Sequence, residues 1–348
     1  MVNKRSTVLT TLMRAGLRQQ RAAVRLLGAL APATPPRPLR PSRKTSTGRA
    51  PAAGSWHALS FTMVGAHMRY WLFLPASASA SASASAPMPL AVMLHGCDQT
   101  AVNFADGSGI NRLAEKAGFA VLYPQQSVAG HPHRCWKWYE RATQQGGGDA
   151  ALIVAVVKAV LAAYRLDRSR VYIGGISAGA AMAHIVALNW PDVFAAVGLH
   201  SGPVFGAGHS GVGALGVMQH GAPARADAAI DEVLQRQGAG LPLPTIVIHG
   251  EDDAVVRPVN QLQLAGQALR FNGIAGGSEK LADRVATRRT LAYRTRDVYQ
   301  GRSLMLRLVR IAGLGHAWSG GDARLKFNSG QGPNAGKLML DFFARHRR

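Results

Sequence analysis

From about residue 68 onward the chain alternates short, nearly unbroken apolar runs with longer segments whose apolar positions recur every three or four residues. The runs are Leu90–Leu94, Phe119–Tyr123, Arg170–Gly174, Ala195–Leu199, Thr245–His249 and Leu304–Ile311, with a further one at about 68–74. Helical spacing marks Ile110–Ala117, Asp149–Tyr164, Ala178–Asn189 and Ala335–Arg345, with Asp149 a suitable N-cap and Pro191 a stop. Strands without polar alternation are covered on both faces. The pattern therefore predicts an α/β fold, a doubly wound and mostly parallel sheet with helices on both sides. Residues 203–240 break this rhythm with Gly, Pro, Ala and His, and read as an insertion or small cap. Residues 77–86 alternate Ser and Ala, offer no hydrophobic face, and read as a lengthened loop.

The first 55 residues follow a different rule. Leu9, Leu12, Met13, Leu17, Val24, Leu27 and Leu30 fall on one side of a helix, and Arg14, Arg18, Arg21 and Arg25 on the other. Pro32, Pro35, Pro36, Pro38 and Pro41 then favour an extended linker. Arg14 interrupts the apolar run that a secretory signal needs, so the expectation is a basic amphipathic arm suited to an anionic surface or polymer granule. A frayed, solvated tail, or a misannotated start codon, fits the same residues. The folded unit is expected to span 56–348.

Charge sharpens that division. The net charge is +22, yet residues 1–97 hold 12 Lys/Arg and no acid, whereas the rest holds 28 Lys/Arg and 18 Asp/Glu. More than half of the excess therefore sits in the first 97 residues, mostly before Trp56. A nucleic-acid binder would rest on charge alone, for no recognition motif accompanies it. Hydrophobic residues make up 47% of the chain and charged ones 17%, enough for a sizeable core. No apolar stretch approaches the ~20 residues of a transmembrane helix. Two cysteines exclude a disulfide scaffold and a four-thiolate zinc site, and leave room for one bridge.

The chemistry concentrates at strand ends. Gly175-Ile176-Ser177-Ala178-Gly179 is a G-x-S-x-G pattern set between a strand and a helix, the context in which a serine on a tight turn becomes a nucleophile. A hydroxyl needs a base and an orienting acid, which in this fold class follow in the order Ser, acid, His. Glu251-Asp252-Asp253 follows one strand, and His316 stands in the Gly-rich loop after another. Ala178 N–H is one expected oxyanion donor, and Cys97 N–H, after Leu90–Leu94, the other. His95 lacks the spacing of a metal ligand and reads as structural.

Taken together, Leu94–Thr100, Cys135-Trp136-Lys137-Trp138-Tyr139, Gly175–Gly179, His249-Gly250-x-x-Asp253 and Gly315–Gly321 resemble the poly(3-hydroxybutyrate) depolymerase family of esterases. That family includes related feruloyl and acetylxylan esterases, and the resemblance covers about 56–348. It implies an α/β-hydrolase fold and selects Asp253 over Asp252 as the acid. It implies a serine ester hydrolase with Ser177, His316 and Asp253 in catalytic roles, acting on polyester or short hydroxyacyl esters. Feruloyl and acetylxylan esters are the alternative substrates, and a non-catalytic polymer-binding protein the alternative of another class. This chemistry requires no metal or organic cofactor.

The resemblance also brings Cys135 beside the cleft, so Cys97 and Cys135 are expected to form a disulfide; two buried free thiols are the alternative. Trp136, Trp138 and Trp318 are expected either to line an aromatic substrate trough or to lie in the core. Much of the family implies extracellular action, whereas the absent signal pattern points to the cytoplasm. Asn334 occupies a position where the family commonly has an acid.

Overall fold

The computed structural model describes residues 53–76, 86–238, 241–288 and 290–348. The expected arm and Ser-Ala loop lie outside the described residues, apart from positions 53–55 and 86. Ten strands form one sheet: β1 Ser55–Met63, β2 Ala66–Leu74, β3 Met88–Leu94, β4 Ala120–Gln125, β5 Leu166–Ile176, β6 Ala196–His200, β7 Thr245–Gly250, β8 Ser278–Arg284, β9 Tyr293–Gln300 and β10 Ser303–Ile311. Their spatial order is β1-β2-β4-β3-β5-β6-β7-β10-β9-β8. The six from β4 to β10 run parallel, and two antiparallel strands close each side. A two-residue pair, β11 Trp318–Ser319 with β12 Asn328–Ser329, lies apart.

The helices are α1 Ala101–Ser108, α2 Ile110–Ala117, α3 Arg141–Gln144, α4 Gly148–Ala163, α5 Ala178–Asn189, α6 Gly211–His220, α7 Ala226–Gln237, α8 Val259–Phe271 and α9 Ala335–Phe343. None is long and apolar enough to cross a membrane. The period-two alternation of the strands sorts the core. Leu90, Val92 and Leu94 of β3 join a cluster with residues of α4, α5, α7 and α8. Ala91 and Met93 join another with residues of α1, α2 and α9. Helices on both faces explain why β3, β4, β6 and β7 are apolar almost throughout.

All seven expected strands and all four expected helices are present. The cap of α4 is a correction. Gly147, not Asp149, is its N-cap, and Asp149 instead accepts from Gln126 Nε2 at 2.6 Å. Residues 203–240 contain α6 and α7. The outer strands β1, β8 and β9 add to what the apolar pattern predicts. In β8, Glu279 and Asp283 pair with Arg296 and Arg294 of β9, and Lys280 stands over the Tyr299 ring.

Parallel order has one consequence for function. The carboxyl ends of β3, β5, β6, β7 and β10 share one edge of the sheet, and every loop carrying a candidate residue leaves from it.

Candidate active site

Ser177 is the single residue between β5 and α5, at φ 56° and ψ −124°. A side chain held in such a conformation costs about 1–3 kcal/mol, so its surroundings must impose it. The Ser177 N–H donates to His200 O at 2.9 Å, which ties the turn to the end of β6. Gly175 and Gly179 permit close approach on the other side. A Cβ at Gly175 would stand 2.5 Å from Leu94 O, and one at Gly179 would overlap the carbonyls of Leu94 and His95. The serine turn is thereby pressed against the loop that follows β3.

His316 follows β10 in a turn that Asp252 N–H holds by donating to Leu314 O at 3.1 Å. Its Nδ1 lies 2.8 Å from Asp253 Oδ2, and its Nε2 lies 3.0 Å from Ser177 Oγ. With the Nδ1 proton directed at the carboxylate, Nε2 is left to accept from the serine hydroxyl. The other Asp253 oxygen accepts from Val255 N–H at 3.0 Å and Val256 N–H at 2.9 Å. Burial opposes charge on this carboxyl, but hydrogen bonding and the charge of His316 together hold its pKa below the usual carboxylate value. Asp252, by contrast, is exposed.

Cys97 and Cys135 are joined in a disulfide, with their Cα atoms 4.3 Å apart. Around Cys97 the loop is tied at several points: Gly96 N–H to Gln99 Oε1 at 2.8 Å, Asp98 N–H to His133 O at 2.6 Å, and Trp136 Nε1–H to His95 O at 2.9 Å. The N–H groups of Cys97 and Ala178 have no hydrogen-bond partner among the described residues. Two unspent donors flanking a serine hydroxyl suit an oxyanion.

His95 packs beneath this loop. Its Nδ1–H donates to Gly96 O at 2.8 Å, and its Nε2 accepts from Gln126 N–H at 3.1 Å. Burial, reinforced by the Arg134 charge, outweighs the Gly96 bond and pushes its pKa down to about 4. The expected aromatic trough needs correction. Trp136, Trp138 and Trp318 are 0%, 5% and 0% exposed, so almost no ring face is left for a ligand. Trp136 supports the loop as described. Trp318 lies edge-on to Phe104 at 5.2 Å and stacks on His200 at 5.1 Å.

Two histidines beside Asp253 were given no role by the sequence, although His249 stands in the motif quoted above. His249 donates from Nε2 to Val256 O at 2.7 Å, the same turn whose N–H groups hold Asp253. His200 accepts Ser319 N–H on Nε2 at 3.3 Å and contacts Ser201 Oγ through Nδ1 at 3.1 Å. Burial drives the His200 pKa down to about 3, with repulsion from His249 and His316 adding to it. The available signal was position: each sits at or next to the carboxyl end of a central strand. Asn334 is explained by its bonds. Its Oδ1 caps α9 by accepting Lys337 N–H at 2.9 Å, and its Nδ2 donates to Gly320 O at 3.0 Å. A carboxylate lacks that second donation.

Among curated proteins, poly(3-hydroxyalkanoate) depolymerase C of Paucimonas lemoignei is 35% identical over 189 residues, 53% of this chain and 45% of the relative. A probable acetylxylan esterase A of Aspergillus clavatus is 38% identical over 119 residues, 34% of this chain and 38% of the relative. The chain thus spans less than half the length of these relatives. Among solved structures, an acetyl xylan esterase from Aspergillus awamori shares the fold with a TM-score of 0.64 at 21% identity, covering 84% of this chain and 99% of that one. The sheet and helices thus have the α/β-hydrolase fold. The profile of the family described as "Esterase PHB depolymerase" matches residues 68–291, and the chain belongs to that family.

Proposed function

We propose that this protein is a serine carboxylic-ester hydrolase acting on hydroxyacyl esters of the polyhydroxyalkanoate type. The observation that carries the reading is the hydrogen-bonded relay from Ser177 Oγ through His316 to Asp253, anchored on a strained turn beside two unpartnered N–H groups. Ser177 Oγ attacks the acyl carbon while His316 Nε2 takes its proton. The Asp253 carboxylate steadies the imidazolium, and the N–H groups of Cys97 and Ala178 receive the oxyanion. Collapse expels the alcohol, which leaves with the proton from Nε2. Water then attacks the acyl-serine, with His316 again taking the proton, and the released acid frees Ser177.

The depolymerase relative supports the polyester class. The acetylxylan esterase likeness over 84% of the chain favours a second reading, acetyl or feruloyl esters of polysaccharides. The disulfide supports an oxidising, extracellular setting. A hydrolysis panel tests the proposal: p-nitrophenyl acetate and butyrate, hydroxybutyrate oligomers, amorphous polyhydroxybutyrate, acetylxylan and methyl ferulate. Ser177→Ala should lower turnover of every accepted ester by about a thousandfold or more. Near wild-type rates in that variant would overturn the assignment. Preference for acetylxylan or ferulate would move it to the second reading.

A further inference from the structure

A cavity of about 350 Å³ opens between β2, the end of β4, the start of α1 and the segment ahead of Cys135. Trp71 forms an aromatic wall, Val102 and Val128 add apolar surface, and His67, Arg69 and Arg134 supply positive or potentially positive groups. No Asp or Glu lines it. The Arg69 guanidinium stands over the Trp71 ring at 5.3 Å. Neither arginine has a carboxylate partner among the described residues, although 11 Lys or Arg ion pairs occur elsewhere among them. Arg134 is also held at φ 47°, a conformation its neighbours must impose.

The cavity lies close to the oxyanion loop, and covalent geometry limits the separation. Cys97 and Cys135 have Cα atoms 4.3 Å apart, and adjacent Cα atoms are about 3.8 Å apart, so the Arg134 Cα lies within about 8 Å of that of Cys97. Thr100, another wall residue, is three positions along the chain from Cys97. The Arg134 and Thr100 walls of the cavity thus adjoin the loop that carries the Cys97 N–H.

We propose that this cavity is a carboxylate subsite, which receives an acid-bearing, non-reacting end of the ester substrate. The inference rests on the esterase reading and names the substrate feature that this site selects. Two unpaired guanidiniums select a carboxylate, and Trp71 with the two valines accommodates the apolar body next to it. Two sources share that chemistry: the free-acid terminus of a hydroxyacyl oligomer and a uronate on a polysaccharide. Because the contact is remote from the reacting carbonyl, it contributes equally to ground state and transition state. It should lower KM and leave kcat nearly unchanged.

The test uses the full-length Ser177→Ala protein, so that binding is read without turnover. Calorimetry compares hydroxybutyrate trimer with its methyl ester, and glucuronate-substituted xylotetraose with plain xylotetraose. The acid-bearing member of one pair should bind about tenfold more tightly at low salt, with the advantage shrinking as salt is raised. The pair that discriminates identifies the source. Adding Arg69→Gln and Arg134→Gln together should reduce the preference to within about twofold, and Arg69→Gln alone should remove part of it should Arg134→Gln misfold. Arg302→Gln, which removes the same charge from the β9–β10 turn, should retain it. Equal binding within both pairs overturns the subsite, as does an equal loss in Arg302→Gln. Failure of the esterase reading shows separately, as absent p-nitrophenyl acetate turnover by the wild-type protein.

Discussion

Replacing Asp253 by asparagine is nearly isosteric, and the bonds around the carboxylate show why it should be damaging. One oxygen accepts Val255 and Val256 N–H at 3.0 and 2.9 Å; the other faces His316 Nδ1 at 2.8 Å. An asparagine has one carbonyl oxygen for these two places. Flipping its NH2 onto the two backbone donors would leave both N–H groups unsatisfied, at about 1–3 kcal/mol each. The amide oxygen therefore stays with the backbone and its NH2 faces His316. That forces Nδ1 to accept and puts the imidazole proton on Nε2, opposite Ser177, where it cannot take the hydroxyl proton. Loss of the required tautomer and of the stabilising charge predicts a fall in kcat of about 10⁴-fold, or about 5 kcal/mol of transition-state stabilisation. The assay is kcat and kcat/KM for p-nitrophenyl acetate between pH 6 and 9, with near-UV circular dichroism to verify folding. Asp253→Asn should be at least as damaging as Asp253→Ala, which leaves the imidazole free to choose its tautomer. Asp252→Ala should stay within a few-fold of wild type, because its one link to the histidine loop is a backbone bond. Asp253→Asn retaining a tenth of wild-type activity would refute the reasoning.

Gly179→Ala should cut kcat by at least about a hundredfold, because its Cβ overlaps the carbonyls of Leu94 and His95 and displaces the Cys97 donor; crystallised variants with an unmoved loop and normal rate would contradict this. The Cys97→Ser, Cys135→Ser pair opens a loop spanning 38 residues, which chain entropy values at about 4 kcal/mol as an upper figure. Urea titration should show the loss and p-nitrophenyl ester kinetics a lower kcat; an unchanged midpoint and rate would argue that the bridge restrains nothing. Stability should also fall in mild acid. His95, His184 and His200 are buried neutral, with pKa values pushed by burial down to about 4, 3 and 3. The unfolded chain binds these protons first, so their contribution is complete above about pH 6.5 and is lost progressively below it. At pH 5 each histidine should cost about 2 kcal/mol relative to pH 8, and a urea midpoint unchanged over that range would show that they are not buried neutral.

The parallel core was legible because both of its faces are dry. Runs such as Leu90–Leu94 contain no position that needs water, and only strands between helix layers read that way. Ser177 and His316 were legible because the residues around them mark sharp turns at strand ends. Choosing between Asp252 and Asp253 required a family pattern, since the two differ by which way a turn faces. The outer strands were hidden for the opposite reason to the core. In Ser278–Arg284 every side chain but one is exposed, and its Glu, Lys and Ala favour helix or loop when read locally. The tryptophans misled because their proximity in sequence to Cys135 and His316 carries no information about which side of the loop they occupy. The 350 Å³ cavity could not be anticipated, for its walls come from four separate stretches of chain.

The charged hairpin at the β8 side bears on how the molecule behaves in company. A sheet ending in an open strand offers its unpaired backbone groups to any other extended chain, and ten strands make a broad template. Here the terminal strand presents Glu279, Lys280, Asp283 and Arg284 within seven residues, with two of them already committed to arginines on β9. A second chain docking along that rim would have to strip water from these charges before gaining any backbone bond. The rim therefore guards against edge-to-edge stacking. Neutralising it with Glu279→Val and Asp283→Val should leave the core intact and promote sideways assembly through β8.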